Sequence, residues 1–223
     1  MAMHNVILRD RVSGDKTVPV NNIYCIGRNY VDHVAELKNE MPEELVVFMK
    51  PNNSLLPSGG TIHLPAYSQS VHYECELLLL IGRDSDAASI ENPLDCVAAY
   101  GVGLDLTARD VQIRLKEKGL PWTKAKGFRG AACVSDFVPA RQISDPQNCE
   151  FTLHINGELR QHGRCMHMIH SLPDILRELA DTYGLCAGDV VFTGTPAGVG
   201  LLHAGDRLLL DLAGQVQATF NVC

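Results

Sequence analysis

The chain has 223 residues, of which 46% are hydrophobic and 20% charged, a composition typical of a folded domain and not of a disordered segment. Its net charge of −7 argues against a nucleic-acid partner, because phosphates attract a basic surface. No apolar run approaches the length of a membrane span, and the first residues lack the pattern of a secretion signal. Eight cysteines without a Cys-x-x-Cys pair indicate reduced thiols, so we expect a cytoplasmic protein with no membrane partner.

Strands dominate the predicted secondary structure. They do not alternate regularly with helices, which favours an α+β fold with a large mixed or antiparallel sheet. Asn156-Gly157 between two of the strands is a strong signal for a β-hairpin. Without repeats or linkers, we expect a single domain over residues 1–223, with a short lead-in over about residues 1–20. The predicted strands are residues 23–26, 74–81, 97–106, 151–155, 159–162, 190–192, 207–212 and 217–222.

Three short helices are predicted between these strands. The first is polar and covers residues 29–38. The second begins at Thr107, an N-cap with Asp110 three residues later, and ends near residue 118. The third begins at the equivalent pair Ser171 and Asp174 and ends near residue 184, at a glycine.

Two glycine-rich stretches resemble nucleotide-binding loops but lack their defining residues. Leu106 stands where a dinucleotide fingerprint beginning at Gly101 needs its third glycine. The stretch from Gly194 to Gly200 lacks the Gly-Lys-Ser/Thr ending of a phosphate loop. The sequence therefore does not favour a nucleotide site.

Two carboxylates stand at the start of the most apolar predicted strand. Glu74 and Glu76 would point to the same face of that strand. Unpaired carboxylates at the entrance to a core are costly, and a hard divalent cation such as Mg²⁺ or Mn²⁺ removes that cost. Asp105 ends the next apolar strand and would supply a third ligand if the two strands are neighbours. The alternative from periodicity alone is the solvated face of an edge strand.

A histidine and two lysines are further candidates for chemistry. His33 and Glu36 would share one face of the first helix, where a carboxylate fixes the tautomer of the imidazole and raises its basicity. The alternative is an exposed pair of little consequence. Lys124 and Lys126 lie in a predicted loop, where a lysine can donate to an oxyanion or simply face solvent.

Residues 161–170 contain three histidines and a cysteine, which suggests zinc. Their spacing matches no common structural zinc pattern, so we expect a polar loop without metal. The candidate ligands are His162, Cys165, His167 and His170.

Taken together, five segments resemble the fumarylacetoacetate hydrolase family, most closely its short, single-domain members that act as acylpyruvases. The resemblance implies a β-rich roll or sandwich with a distorted barrel and few short helices, assembled as a homodimer and working in the breakdown of aromatic compounds. The segments run in the family's order and spacing and are residues 25–36, 72–76, 103–112, 119–128 and 192–200.

The resemblance includes one departure from the family and also implies a role for individual residues. One departure from the family is Arg164 to His170, where members usually have small polar residues, so the distal group of the substrate is expected to differ if this loop lies near the pocket. Arg28, a cation beside the first helix, is our own addition to the substrate-binding residues. The implied residues are Glu74, Glu76 and Asp105 as ligands of Mg²⁺ or Mn²⁺, His33 and Glu36 as the water-activating pair, Lys126 as the active-site lysine, and Arg109, Gln112 and Thr195 as substrate-binding residues.

The implied reaction is hydrolysis of acylpyruvates, small anionic 2-oxo acids such as fumarylpyruvate or acetylpyruvate, to pyruvate and a carboxylic acid. Hydroxide formed by His33 and Glu36 would attack the distal carbonyl, and the metal and Lys126 would stabilise the pyruvate enolate that leaves. Decarboxylation or tautomerisation of oxaloacetate shares an enolate and is the alternative on the same site. A non-catalytic metal- or ligand-binding module is a further alternative, although it would be expected to have lost the pair or the lysine.

Overall fold

The computed structural model describes residues 4–36, 44–85 and 91–223, and these ranges are built mainly from β-strands. None of the described helices is long and apolar enough to cross a membrane. The helices are α1 (Val31–Glu36), α2 (Arg109–Glu117), α3 (Thr123–Lys126) and α4 (Leu172–Thr182). The strands are β1 (Asn5–Leu8), β2 (Lys16–Pro19), β3 (Ile23–Gly27), β4 (Val46–Lys50), β5 (Leu55–Pro57), β6 (Thr61–Ile62), β7 (Val71–Tyr73), β8 (Cys75–Ile81), β9 (Val97–Asp105), β10 (Thr107–Ala108), β11 (Ala132–Val134), β12 (Val138–Pro139), β13 (Glu150–Ile155), β14 (Glu158–Arg164), β15 (Val190–Phe192), β16 (Gly200–Leu201), β17 (Arg207–Leu212) and β18 (Val216–Val222).

A curled, mixed sheet forms the centre of the molecule. Its strand order within the described ranges is β4-β3-β15-β8-β9-β11-β5, with β12 beside β9. Two pairs, β3 with β15 and β5 with β11, are parallel, and the others are antiparallel. Successive leucines of β8 face two different hydrophobic clusters, Leu77 the larger one and Leu78 the smaller one. A strand buried on both faces needs an apolar side chain at every position, which explains the continuous run.

A second, antiparallel-rich sheet packs against the first and closes the larger core. Its order is β14-β13-β17-β18-β6, and Phe151, Leu210 and the α4 residue Leu176 lie in the shared hydrophobic cluster. The predicted hairpin joins β13 to β14, with positive φ at both Asn156 (54°) and Gly157 (85°), as this tight turn requires. The expected α+β, β-rich fold is confirmed, and each predicted strand lies within two residues of an observed one.

The predicted helix starts have different outcomes. α4 has the expected capping box, in which the Ser171 side chain accepts from the Asp174 amide and the Asp174 carboxylate accepts from the Ser171 amide. The predicted cap at Thr107 is wrong, because Thr107 lies in β10, paired with β7, and its hydroxyl donates to the Asp105 carbonyl. α2 begins only at Arg109, and Asp110 accepts from the Ser68 hydroxyl instead. The last two residues of the predicted first helix, 37 and 38, lie outside the described residues.

The predicted lead-in contains β1 and β2, which form an antiparallel ribbon. Val6 of this ribbon and Val20 just after it pack with Phe137 in the smaller core cluster. The lead-in is therefore held on the face of the central sheet that carries the smaller hydrophobic cluster.

Candidate active site

Three buried carboxylates converge at one end of the central sheet. Glu74 connects β7 to β8, Glu76 is the second residue of β8, and Asp105 ends β9, the antiparallel neighbour of β8. One oxygen from each carboxylate lies within 4.8 Å of the others. The residues are only 4%, 1% and 1% exposed, respectively. β8 lies between β15 and β9, so the alternative of a solvated edge strand is wrong.

Lys126 lies against two of these carboxylates. Its Nζ is 2.7 Å from Glu74 Oε2 and 2.6 Å from Asp105 Oδ2. Lys126 ends the short helix α3 and is not in a loop as predicted, and the helix directs it inward while Lys124 stays exposed over the Tyr67 ring. Burial alone would lower the pKa of Lys126, but Asp105 and Glu74 outweigh it and raise that pKa, so the ammonium form persists.

Lys50, at the end of β4, is a site residue that sequence reasoning missed. Its buried Nζ lies 2.7 Å from Asp105 Oδ1 and donates to the carbonyls of Leu106 and Lys126. A signal was present in the alternation of β4, because Phe48 and Lys50 share one face of the strand. The Phe48 ring in turn lies 4.9 Å from Lys126 Nζ, a cation–π contact.

Arg109 and Gln112 lie on the first turn of α2, where Arg109 contacts Glu74. Arg109 Nη2 donates a hydrogen bond to Glu74 Oε1, and Arg109 Nη1 donates one to Gln112 Oε1 over 2.7 Å. Burial acts to raise the pKa of Glu74, but Lys126 and Arg109 outweigh it and hold that pKa below its usual range. Glu74 is therefore a carboxylate at neutral pH.

His33 and Glu36 form the expected pair on α1. His33 Nδ1 lies 3.3 Å from Glu36 Oε2, and Glu36 Oε1 accepts from the Gly198 amide over 3.1 Å. His33 is buried and not exposed as the alternative required. Burial lowers the pKa of His33, opposed by Glu74 and Glu36, so the imidazole is neutral at neutral pH.

Some of these side chains, among them His33, Glu74 and Lys126, line a cavity of about 230 Å³. One wall is apolar and consists of Phe48, Ile113 and Trp122. Arg28, the added candidate, reaches this cavity from a left-handed backbone conformation (φ 57°), which is uncommon for a residue with a side chain. The polar lining consists of Arg28, His33, His72, Glu74, Arg109, Gln112, Lys116 and Lys126.

Thr195 does not line this cavity but lies behind β8. Its buried hydroxyl donates to the Cys75 carbonyl over 2.8 Å and accepts from the Gln161 side chain over 2.9 Å. The adjacent Gly194 amide donates to Glu76 Oε2 over 2.7 Å. A substrate contact for Thr195 stays a prediction, and its observed bonds hold the strand that carries Glu76.

The acidic cluster has the donor set that a hard divalent cation prefers. Burial raises the pKa of Glu76 well above its usual range, and the nearby Asp105 and Glu74 charges raise it further. Asp105 Oδ1 accepts no well-directed hydrogen bond, although Lys50 Nζ is close. Three crowded carboxylates supply only oxygen ligands, so these residues fit Mg²⁺ or Mn²⁺ better than a metal that prefers sulfur or nitrogen.

The expected polar loop over residues 161–170 is only partly observed, because His162 lies within β14 and Cys165–His167 form a short 3-10 helix. The side chains of this histidine-rich segment are directed to several separate partners. His162 contacts Glu150 Oε2 at 2.8 Å, and Cys165 is buried in the larger core. The backbones of Met168 and Tyr30 form an isolated antiparallel β-bridge, and the His170 amide donates to Asn29 Oδ1. The loop therefore packs against the segment leading into α1. That the loop binds no metal stays a prediction.

A family model described as "Fumarylacetoacetate (FAA) hydrolase C-terminal" matches residues 22–222. The chain belongs to the fumarylacetoacetate hydrolase family. Among its relatives, "Oxaloacetate tautomerase FAHD1, mitochondrial" of Homo sapiens is 43% identical over 201 residues, covering 90% of this chain and 91% of the relative. "Oxaloacetate tautomerase YcgM" of Escherichia coli (strain K12) is 42% identical over 202 residues, covering 90% and 92%.

The solved structures of the family share the fold over nearly the whole chain. The fumarylpyruvate hydrolase of Pseudomonas aeruginosa, solved with Mn²⁺ and pyruvate, has a TM-score of 0.91 at 34% identity and covers 100% of this chain and 97% of its own. The predicted family is therefore confirmed. The names of the relatives favour the tautomerase alternative over hydrolysis, the main prediction, while the structural neighbour is a hydrolase.

Proposed function

We propose that this protein is a divalent-metal-dependent oxaloacetate tautomerase, which interconverts the keto and enol forms of that acid. The observation that carries the proposal is the buried cluster of Glu74, Glu76 and Asp105, set with Lys126 beside a small cavity that His33 also lines. The tautomerase names of relatives 42–43% identical over 90% of the chain support it.

In this proposal Glu74, Glu76 and Asp105 hold one Mg²⁺ or Mn²⁺. When bound, such an ion supplies a Lewis acid for the 2-oxo and carboxylate oxygens of the substrate. The Mn²⁺ in the related hydrolase structure supports a divalent ion of this kind.

The charges around the cavity suit a small dianion such as oxaloacetate. The three carboxylates are balanced by Lys50, Lys126 and Arg109, so a divalent cation would leave two positive charges for the substrate. The cavity, about 230 Å³, is smaller than the about 300–1,000 Å³ typical of pockets for larger ligands. Both features favour a short dicarboxylic acid.

His33 is the candidate base for the proton at C3 of oxaloacetate. Its contact with Glu36 orients the ring and leaves Nε2 to accept that proton. The electron pair of the C–H bond forms the C2–C3 double bond, and charge moves to the C2 oxygen. Lys126 stays charged and stabilises this oxygen. The proton taken up by His33 then passes to the C2 oxygen, directly or through water, which completes the enol and returns His33 to its neutral form.

The proposal is tested by following the ultraviolet absorbance of enol-oxaloacetate in the presence of protein and Mg²⁺ or Mn²⁺. We expect a decay faster than the spontaneous one, abolished by a chelator and by Glu76→Ala. Pyruvate formation from oxaloacetate, acetylpyruvate and fumarylpyruvate is measured in parallel. No acceleration of the enol decay by the metal-loaded protein would contradict the proposal.

Acylpyruvate hydrolysis is the second candidate, favoured by the 3.3 Å contact of His33 with Glu36, which would equally activate water. Rapid pyruvate release from fumarylpyruvate without enol decay would assign this function instead, and no turnover in either assay would favour a binding module. The homodimer, the cytoplasmic location and the role in aromatic breakdown remain predictions, the first of which sedimentation can check.

A further inference from the structure

Asn29, a fully buried residue just before α1, has every polar atom of its side chain engaged. Its Oδ1 accepts from the His170 amide over 2.8 Å, and its Nδ2 donates to the His170 carbonyl over 3.2 Å. The second Nδ2 hydrogen is donated to the Thr193 carbonyl over 2.8 Å. The side-chain amide therefore pairs with the backbone of His170, and this pairing points its remaining donor at Thr193.

The peptide that Asn29 contacts is the one that holds Glu76. The Thr193 carbonyl and the Gly194 amide belong to a single planar peptide group. Its carbonyl accepts from Asn29, and its N–H donates to Glu76 Oε2 over 2.7 Å. A continuous path of two hydrogen bonds across one peptide thus connects the Asn29 side chain to the Glu76 carboxylate.

Neither the Asn29 side-chain amide nor the peptide between Thr193 and Gly194 can be turned over without losing its hydrogen bonds. Turning the Asn29 amide over would direct its oxygen at two carbonyls, those of His170 and Thr193. Rotating the peptide would present a carbonyl to the Glu76 carboxylate in place of a donor, in a region where both are buried. Gly194 has a φ of +103°, and a Cβ at this position would lie 2.6 Å from the Cβ of Asn29. The glycine therefore allows the two segments to approach each other this closely.

We propose that Asn29 is a positioning residue that orients the peptide between Thr193 and Gly194 and so fixes the Glu76 carboxylate for metal binding. The proposal rests on the metal site of the proposed function and not on which reaction follows. It also assigns a role to the histidine-rich loop, since the backbone of His170 holds the Asn29 side chain in place. Partners that orient metal ligands in this way typically change metal affinity by about 10–100-fold when they are removed.

The test is the affinity for Mn²⁺, measured by electron paramagnetic resonance on metal-free protein without substrate. Asn29→Leu removes the amide at nearly constant size and adds no charge, and Asn29→Ala is the second variant if the leucine impairs folding. We expect the Mn²⁺ dissociation constant to rise about 10–100-fold. Because no substrate is present, an error in the proposed reaction does not affect this result.

Asn52→Leu is the matched control. The Asn52 side chain also donates to two backbone carbonyls, those of Val20 and Asn21, but it does not line the cavity. We expect Asn52→Leu to lower the thermal midpoint while leaving the Mn²⁺ affinity within twofold to threefold of the unmodified protein. The proposal is overturned if the Asn29 variants lower only the midpoint, or if the Asn52 variant weakens Mn²⁺ binding equally.

Discussion

Replacing Lys50 by Met tests the balance of charges beneath the cavity. Lys50 is 2% exposed, its Nζ lies 2.7 Å from Asp105 Oδ1, and it donates to two carbonyls. Met has a similar length and volume, so the substitution removes the charge and the hydrogen bonds with little change in packing. The Asp105 carboxylate would then be buried with Lys126 as its remaining cation.

Loss of one partner from a buried ion pair costs about 3–5 kcal/mol, because the other charge stays buried without compensation. Lys126 Nζ remains 2.6 Å from Asp105 Oδ2, so we expect the lower end of this range, about 3 kcal/mol. That is a large fraction of the about 5–15 kcal/mol by which a domain is usually stable. The variant should fold in buffer and unfold at a much lower urea concentration.

Urea unfolding of metal-free Lys50→Met and of the unmodified protein measures this loss. Lys16→Met, on the exposed strand β2, is the control and should change the free energy of unfolding by no more than about 0.5 kcal/mol. Free Mn²⁺ at about 100 times its Kd should stabilise the unmodified protein by about 2.7 kcal/mol. A Lys50→Met protein as stable as the Lys16→Met control would refute the reasoning.

Four further predictions concern the His33–Glu36 pair and the histidine-rich loop. His33→Ala should reduce the rate of catalysed enol decay by about 10²–10⁴-fold and leave the Mn²⁺ affinity unchanged. An equal loss of rate and of Mn²⁺ affinity would show that His33 supports the metal site instead. Burial, opposed by Glu74 and Glu36, lowers the pKa of His33 below 6.5, so kcat/KM should fall as the pH drops through that pKa. The unfolded chain takes up this proton more readily, so stability should also decrease below pH 6.5, and less in His33→Gln, as urea unfolding at several pH values would show. The loop of residues 162–170 should bind no metal, and about one zinc per chain, lost in both Cys165→Ala and His167→Ala, would contradict this.

Features with a local signal could be predicted from the sequence. The capping box at Ser171 and the turn at Asn156-Gly157 depend on residues within four positions of one another, and both form as expected. The cap at Thr107 had the same local signal and failed, because pairing of β10 with β7 gives Thr107 a strand conformation. Tertiary contacts there outweigh a preference worth about 1 kcal/mol.

Residues whose role depends on distant partners could not be recognised in the same way. Glu74 and Glu76 could be recognised from the sequence, because two carboxylates at the start of a buried strand need a positive charge to compensate for their burial. For Lys50 the sequence offers only the alternation of β4, which places it on the same face as Phe48, and only the fold brings it to Asp105. Asn29 has no local signal at all, since its partners His170 and Thr193 are more than 140 residues away.

The central claim is that one divalent ion on Glu74, Glu76 and Asp105 is required for the interconversion of enol- and keto-oxaloacetate. The most direct measurement is the rate of enol decay as chelator-treated protein is titrated with Mn²⁺. The account predicts almost no acceleration without metal and a rate that rises until about one ion is bound per chain, with no such rise in Glu76→Ala. Full acceleration by the metal-free protein, or a rate that Mn²⁺ does not change, would contradict it.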